Sequence, residues 1–256
     1  MTFEPDTSLR VHVRPARNVE PRRGIGRPTI LLLHYTGVET AAKAVEWLTC
    51  SESRVSCHYA IDEQGGITQM VPEGMRAWHA GEGEWQGDAD INSASIGIEI
   101  HNAGHEMGYP DFPEAQVRAV EALSRDIIGR HKIRHQHVLG HSDIAPTRKK
   151  DPGEKFPWAR LSRAGIGHWV EPEPMVEGEP SIGIGVASPR VRDFQLLLRR
   201  YGYGVEPTGV LDPKTEFVII AFQRHFRPAR VDGRLDRSTI LTLQKLIAAL
   251  PKDTPA

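Results

Sequence analysis

The stretch EPEPMVEGEPSIGIGVASP, residues 171–189, constrains this chain most, because it carries neither a helical nor a strand period and is rich in Pro, Gly and Glu. It reads as a linker, so no single periodic pattern runs through the whole chain. The 256 residues suffice for one domain of about 150–200 residues and a smaller companion. The expected division is residues 1–170, a linker 171–187, and a module 188–252.

Before the linker, apolar runs alternate between two periods. TILLL (29–33), behind Pro28, is wholly apolar, as in a strand buried on both faces. Ala41, Ala44, Val45 and Leu48 lie at helical spacing. HYAID (58–62), Gly65-Gly66 and ITQMV (67–71) form a predicted hairpin. In IGIEI (96–100), Ile96, Ile98 and Ile100 share one face and Gly97, Glu99 and His101 the other. A helix opens at Pro113-Glu114 and runs through Val117, Val120, Leu123 and Ile127. VLG (138–140) is a brief strand ending at His141. Interleaved strands and helices predict an α/β fold, a mixed central sheet flanked by helices.

After the linker, Gly-Val-Leu-Asp-Pro-Lys-Thr (209–215) recurs as Gly-Arg-Leu-Asp-Arg-Ser-Thr (233–239). In each copy the Asp falls where a helix N-cap belongs, and Pro213 suits the first helical position. With the apolar helical pattern around Phe194, Leu197, Leu198 and Tyr201, the module is predicted to be a small three-helix domain. It contains no catalytic constellation. Its own apolar faces predict a unit that folds by itself and serves as a tether; the alternative is a module that docks on the catalytic domain and shapes or covers its cleft.

Chemistry is to be sought in the first part, which holds 11 of the 12 histidines. His34 ends one buried strand and His141 another, a position that is rigid yet open to solvent. Asp151 follows ten residues after His141, before the turn at Pro152-Gly153. Two imidazoles and a carboxylate would leave one tetrahedral position for water, as in a catalytic zinc site. Taken singly, each is equally a hydrogen-bonded polar group at a strand end, and no compact HExxH motif is present. Asp143 is a rival third ligand. A net charge of −1 predicts no electrostatic hold on nucleic acid, and no apolar run is long enough to span a membrane.

Five blocks resemble one family: LLLHYTG (31–37), VSCHYAID (55–62), AWHAG (77–81), SIGIEIHN (95–102) and GHSDIAPTRKKDPG (140–153). In order and spacing they are similar to the type-2 N-acetylmuramoyl-L-alanine amidases of the AmpD and AmiD kind. These are relatives of phage amidase lysozymes and animal peptidoglycan-recognition proteins. The resemblance covers roughly residues 25–170 and implies the amidase/peptidoglycan-recognition-protein fold. It implies one Zn2+ per chain on His34, His141 and Asp151, a catalytic glutamate at Glu99 and a catalytic lysine at Lys149. Gly97 would leave room for substrate, and Tyr35, Trp78, His79 and Asn102 are the expected substrate-binding residues. Phage and animal members carry tyrosine at the position of Cys57, so no tyrosine role transfers; Cys57 reads as packing. Residues 188–250 resemble the three-helix peptidoglycan-binding domain of wall hydrolases.

The implied reaction is hydrolysis of the amide between the muramic or anhydro-muramic lactyl group and L-alanine, in peptidoglycan or muropeptides. The alternative is a non-catalytic peptidoglycan-recognition protein, which would typically lack a metal ligand; all five residues are present here. The N-terminal residues have charge and proline where a signal peptide needs an apolar stretch. The expected location is cytoplasmic, with Cys50 and Cys57 reduced; the alternative, for a longer true N-terminus, is the periplasm or cell envelope.

Overall fold

Strong apolar periodicity becomes regular structure close to where it is predicted. The computed structural model describes residues 2–24 and 26–251. Its strands are β1 (His12–Val13), β2 (Val19–Pro21), β3 (Ile30–Tyr35), β4 (Tyr59–Ile61), β5 (Ile67–Gln69), β6 (Met75–Ala77), β7 (Ser95–Ile100) and β8 (Val138–Gly140). The first-domain helices are α1 (Ala41–Thr49), α2 (Ile91–Ala94), α3 (Glu114–His131), α4 (His141–Ile144) and α5 (Trp158–Arg163); the module has α6 (Pro189–Tyr201), α7 (Pro213–Phe226) and α8 (Arg237–Ala248). The short pieces β1, β2, β6, α2, α4 and α5 carry too few residues for a periodic signal. They form through tertiary contacts.

Six strands make one sheet in the order β1-β5-β4-β7-β3-β8. Only the β4–β5 hairpin is antiparallel; the other neighbours are parallel. Strands β2 and β6 form a separate antiparallel pair. The centre of the large sheet is buried on both faces, as TILLL predicts. On one face Leu31, Leu33, Ile96, Ile98 and Ile100 pack on Val117, Val120, Leu123 and Ile127 of α3. On the other, Ile30, Leu32 and Leu139 join Trp85, Ile91 and Ile144.

That second cluster does not stop at the domain boundary. It continues into Val191, Phe194, Leu198, Tyr201, Tyr203, Phe222 and Phe226 of the module. Trp85 is the hinge of the contact: its ring lies edge-on to Tyr201 and Tyr203, and it bridges Tyr203 through the backbone. Gly202 lets the ring come this close, because a Cβ there would lie 2.5 Å from it.

Of the two arrangements, tether and docked module, the structure shows the docked one. The linker also differs from a free spacer. The Glu173 N–H donates to Thr242 (3.0 Å), the Ser238 hydroxyl donates to the Glu173 carbonyl (2.6 Å), and Ile182 bridges Leu235. These are backbone groups without a periodic signature, so composition alone does not reveal them.

The repeated motif has a physical basis. Asp212 and Asp236 cap α7 and α8, each accepting from the backbone N–H three residues on, at Thr215 and Thr239, at 2.7 Å. A buried glutamine serves each copy: Gln195 donates to Thr215 and accepts from the Gly209 N–H, and Gln223 does the same with Thr239 and Gly233.

Candidate metal centre and substrate cleft

Adjacent parallel strands β7, β3 and β8 bring the sequence-predicted residues together. The register sets Leu32 beside both Gly97 and Leu139, and His34 beside Glu99. In-register neighbours point to the same face, so His34 and Glu99 emerge side by side. His141 follows β8 at the start of α4. The site therefore lies at the carboxyl ends of three parallel strands, where open α/β sheets form their crevices.

Three ligand atoms converge there. His34 Nδ1 lies 2.9 Å from His141 Nδ1 and 3.2 Å from Asp151 Oδ2, and His141 Nδ1 lies 3.1 Å from the same oxygen. A tetrahedral zinc with bonds of about 2.0–2.1 Å requires ligand atoms roughly 3.3 Å apart. The triangle matches one face of that tetrahedron. Among the described residues, His34, His141 and Asp151 are the group arranged to hold a metal ion.

The hydrogen bonds behind the triangle assign its tautomers. His141 Nε2 donates to the Ala80 carbonyl (2.9 Å), leaving Nδ1 bare. Ser95 donates to the Ile91 carbonyl (2.6 Å), so its oxygen accepts from His79 Nε2 (3.3 Å). His79 Nδ1 is then an acceptor for His34 Nε2–H (2.9 Å), and His34 Nδ1 is bare as well. Burial, reinforced by His141, pushes the His34 imidazole down to about 4. Burial alone would push the Asp151 carboxyl up, but His141 and His34 outweigh it and hold the group below the usual carboxylate range. A carboxylate and two unprotonated nitrogens thus face one point, a donor set that suits a bound metal cation.

A cleft of about 450 Å³ opens over this point, lined by Tyr35, Trp47, Trp78, Glu99 and Lys149 among others. Glu99 Oε2 is out of solvent and has no hydrogen-bond partner among the described residues. Burial, then the charge of Asp151, pushes its carboxyl well above the ordinary range, with Lys149 opposing. The rest of the basic run is engaged elsewhere. Arg148 donates to the carbonyls of Ala80 (3.0 Å) and Glu82, and Lys150 pairs with Glu106 at 2.8 Å.

Several expectations need correction. His79 lines the cleft as expected, but it is largely buried and is held between His34 and Ser95. The space over Gly97 is not left for substrate: a Cβ there would stand 2.5 Å from His79 Nδ1, so the glycine admits that ring. Asn102 is buried outside the cleft and braces a loop, donating to the Pro110 carbonyl and accepting from the Gly104 N–H. Asp143 faces away from the triangle, accepting from Tyr203 and His225 of the module. Tyr35 and Trp78 do line the cleft, and Tyr35 shares a hydrogen bond with His105 at 2.9 Å.

Trp47 went unnoticed in the sequence. It lies off the apolar stripe of α1, is 54% exposed and lines the cleft mouth; a large aromatic on a helix's polar side was the available signal. His131 pairs with the buried Glu73 at 2.6 Å, His101 with Thr36, and His58 accepts from the Gly97 N–H; these contacts are structural. Cys50 and Cys57 are unpaired with each other, and Cys57 packs in a small core with Leu48 and Met70.

Comparison with known proteins gives a consistent result. Residues 25–154 match the family model described as N-acetylmuramoyl-L-alanine amidase, and residues 187–243 match a peptidoglycan binding domain. The chain is 35% identical over 244 residues to N-acetylmuramoyl-L-alanine amidase AmiD of Escherichia coli, covering 89% of this chain and 85% of that one. It is 43% identical over 164 residues to the E. coli 1,6-anhydro-N-acetylmuramyl-L-alanine amidase AmpD, 57% of this chain and 87% of that one. The solved complex of E. coli AmiD with anhydro-N-acetylmuramic acid-L-Ala-D-γ-Glu-L-Lys superposes with a TM-score of 0.76 at 34% identity, covering 94% of each chain. AmpDh3 of Pseudomonas aeruginosa with an anhydromuramic pentapeptide superposes with a TM-score of 0.73 at 30% identity, covering 98% of this chain and 100% of that one.

Proposed function

Since the chain belongs to the N-acetylmuramoyl-L-alanine amidases, we propose that it cleaves the lactyl–L-alanine amide with one zinc ion held by His34, His141 and Asp151. The observation that carries this is the triangle of two bare Nδ1 atoms and one carboxylate oxygen, 2.9–3.2 Å on each edge, at the floor of the cleft. Bound there, zinc would polarise the scissile carbonyl and bring the pKa of a water ligand down to about 7.

The remaining work falls to the chain. Glu99, an unpartnered carboxyl beside the ligands, accepts the proton of the attacking water on Oε2 and delivers it to the departing L-alanine nitrogen. Burial holds its carboxyl above the ordinary range and so strengthens it as a proton acceptor. Lys149 presents a cation to the oxygen that becomes negative on the lactyl carbon. Tyr35, Trp78 and the exposed Trp47 supply the walls, with aromatic surface for the sugar or its peptide.

The soluble anhydro-muropeptides bound by the AmiD and AmpDh3 relatives support the same substrate class here. The module's match to a peptidoglycan binding domain supports polymer as a second substrate. No helix among the described residues is long and apolar enough to cross a membrane. Hydrolysis of anhydro-muramyl-tripeptide by the metal-depleted and zinc-restored chain tests the reading. Activity should vanish with the metal and return with one zinc equivalent. Undiminished cleavage by fully metal-free protein would overturn it.

A further inference from the structure

The module reaches both segments that carry the carboxyl-side metal ligands, and it does so with two consecutive residues of α7. His225 Nδ1 donates to Asp143 Oδ2 at 2.7 Å, two residues after His141. Arg224 lies 3.6 Å from Glu154, three residues after Asp151. Tyr203, two residues past the end of α6, donates its hydroxyl to Asp143 Oδ1 at 2.7 Å.

Asp143 is 1% exposed. Among the described residues its one further bond is from the Gly140 N–H at 2.8 Å, which closes the turn into α4. The carboxylate thus ties the backbone on both sides of His141 to two donors from the other domain. Those donors are rigid. His225 is sandwiched between Trp158 (3.7 Å, 22°) and Phe226 (3.8 Å, 6°), and Tyr203 is stacked edge-on to Trp85. A buried carboxylate stripped of these donors would have to turn toward other partners, taking the His141 turn with it. Groups that orient a ligand from behind typically change metal affinity 10–100-fold when removed.

We propose that the C-terminal module is part of the catalytic centre: Tyr203 and His225 are positioning residues that hold Asp143 and thereby fix His141 as a ligand. Neither touches substrate. This rests on the zinc reading above, and the test separates the two. Zinc affinity of the full chain is measured by competition with a chromogenic chelator, together with kcat and KM on soluble anhydro-muramyl-tripeptide. The small substrate removes any contribution from polymer binding. Tyr203→Phe deletes one oxygen and keeps the ring that fills the core. It should weaken zinc binding about tenfold and lower kcat at saturating zinc, with KM little changed. His225→Ala should weaken zinc binding roughly 10–100-fold, and His225→Asn, which keeps a donor near the Nδ1 position, should recover much of it. A role in folding alone would lower the melting temperature but leave zinc affinity and kcat untouched well below it. If Tyr203→Phe matches the parent chain within twofold in both, the inference falls, whether or not His225→Ala folds. If the parent chain itself binds no zinc, the metal reading falls instead.

Discussion

At the residue scale, two aspartates ten residues apart or less from His141 divide the labour. Asp151 completes the ligand triangle, and Asp143 has both oxygens committed to Gly140, Tyr203 and His225. Asp151→Ala should therefore abolish zinc retention outright. Asp143→Asn should keep zinc but bind it more weakly, a contrast readable by metal analysis after dialysis. Glu99→Gln should retain zinc and lose on the order of 10²–10⁴ in turnover. The same substitution tests the electrostatics of the site. In zinc-free protein the unfolded chain releases the Glu99 proton near the ordinary 4.5, whereas the folded chain holds it to higher pH. Stability from this group is fully present below about 4.5 and is lost as pH rises toward the folded value. Zinc-free Glu99→Gln should accordingly melt higher than the parent at pH 8, with the gap closing toward pH 4. Equal melting temperatures across that range would exclude burial as the cause of the raised pKa.

At the scale of elements, β7 shows why a strand position is more than a face assignment. Gly97 pairs with Leu32, and its missing side chain is the space that the His79 ring occupies. Gly97→Ala should push His79 away from His34, free the wrong tautomer and weaken zinc binding about tenfold or more. Unchanged affinity in a folded variant would mean that His79 does not orient the ligand. In the module, the two capping aspartates share a motif but not an environment. Asp212→Ala should cost about 1 kcal/mol, the usual value for a lost cap. Asp236 also pairs with Arg230 and with Arg227, which is buried. Its replacement leaves a guanidinium without a carboxylate and should cost clearly more by denaturant unfolding.

At the scale of the molecule, the decisive fact is one apolar cluster that spans both domains. A chain ending before residue 171 would expose Trp85 and strand the Asp143 carboxylate. Truncation is thus expected to give a protein that melts far lower or aggregates, and that loses activity on soluble muropeptide as well as on sacculi. Full activity of the truncated chain on the small substrate would show that the shared core is dispensable.

Local sequence specifies the centre of the sheet and the helix that covers it. β3, β7, β8 and α3 declare themselves through local apolar period, whereas His34, Glu99, His141, Lys149 and Asp151 stand out only through the resemblance of short sequence blocks to the amidases, because each block is local while the site joins blocks far apart along the chain. The capped helices of the module were legible for the same reason. Contacts between distant segments decided the rest. Gly97 and His79 are 18 residues apart, Asp143 and His225 82 residues apart, and nothing local in either partner marks the other. A carboxylate in a metal-site motif reads as a ligand until the fold shows where its oxygens point. A Pro- and Gly-rich stretch reads as a free linker until its backbone N–H and carbonyl groups find partners on another surface. Docking depends on the complementary shape of two folded faces, and that shape exists only once the chain has folded.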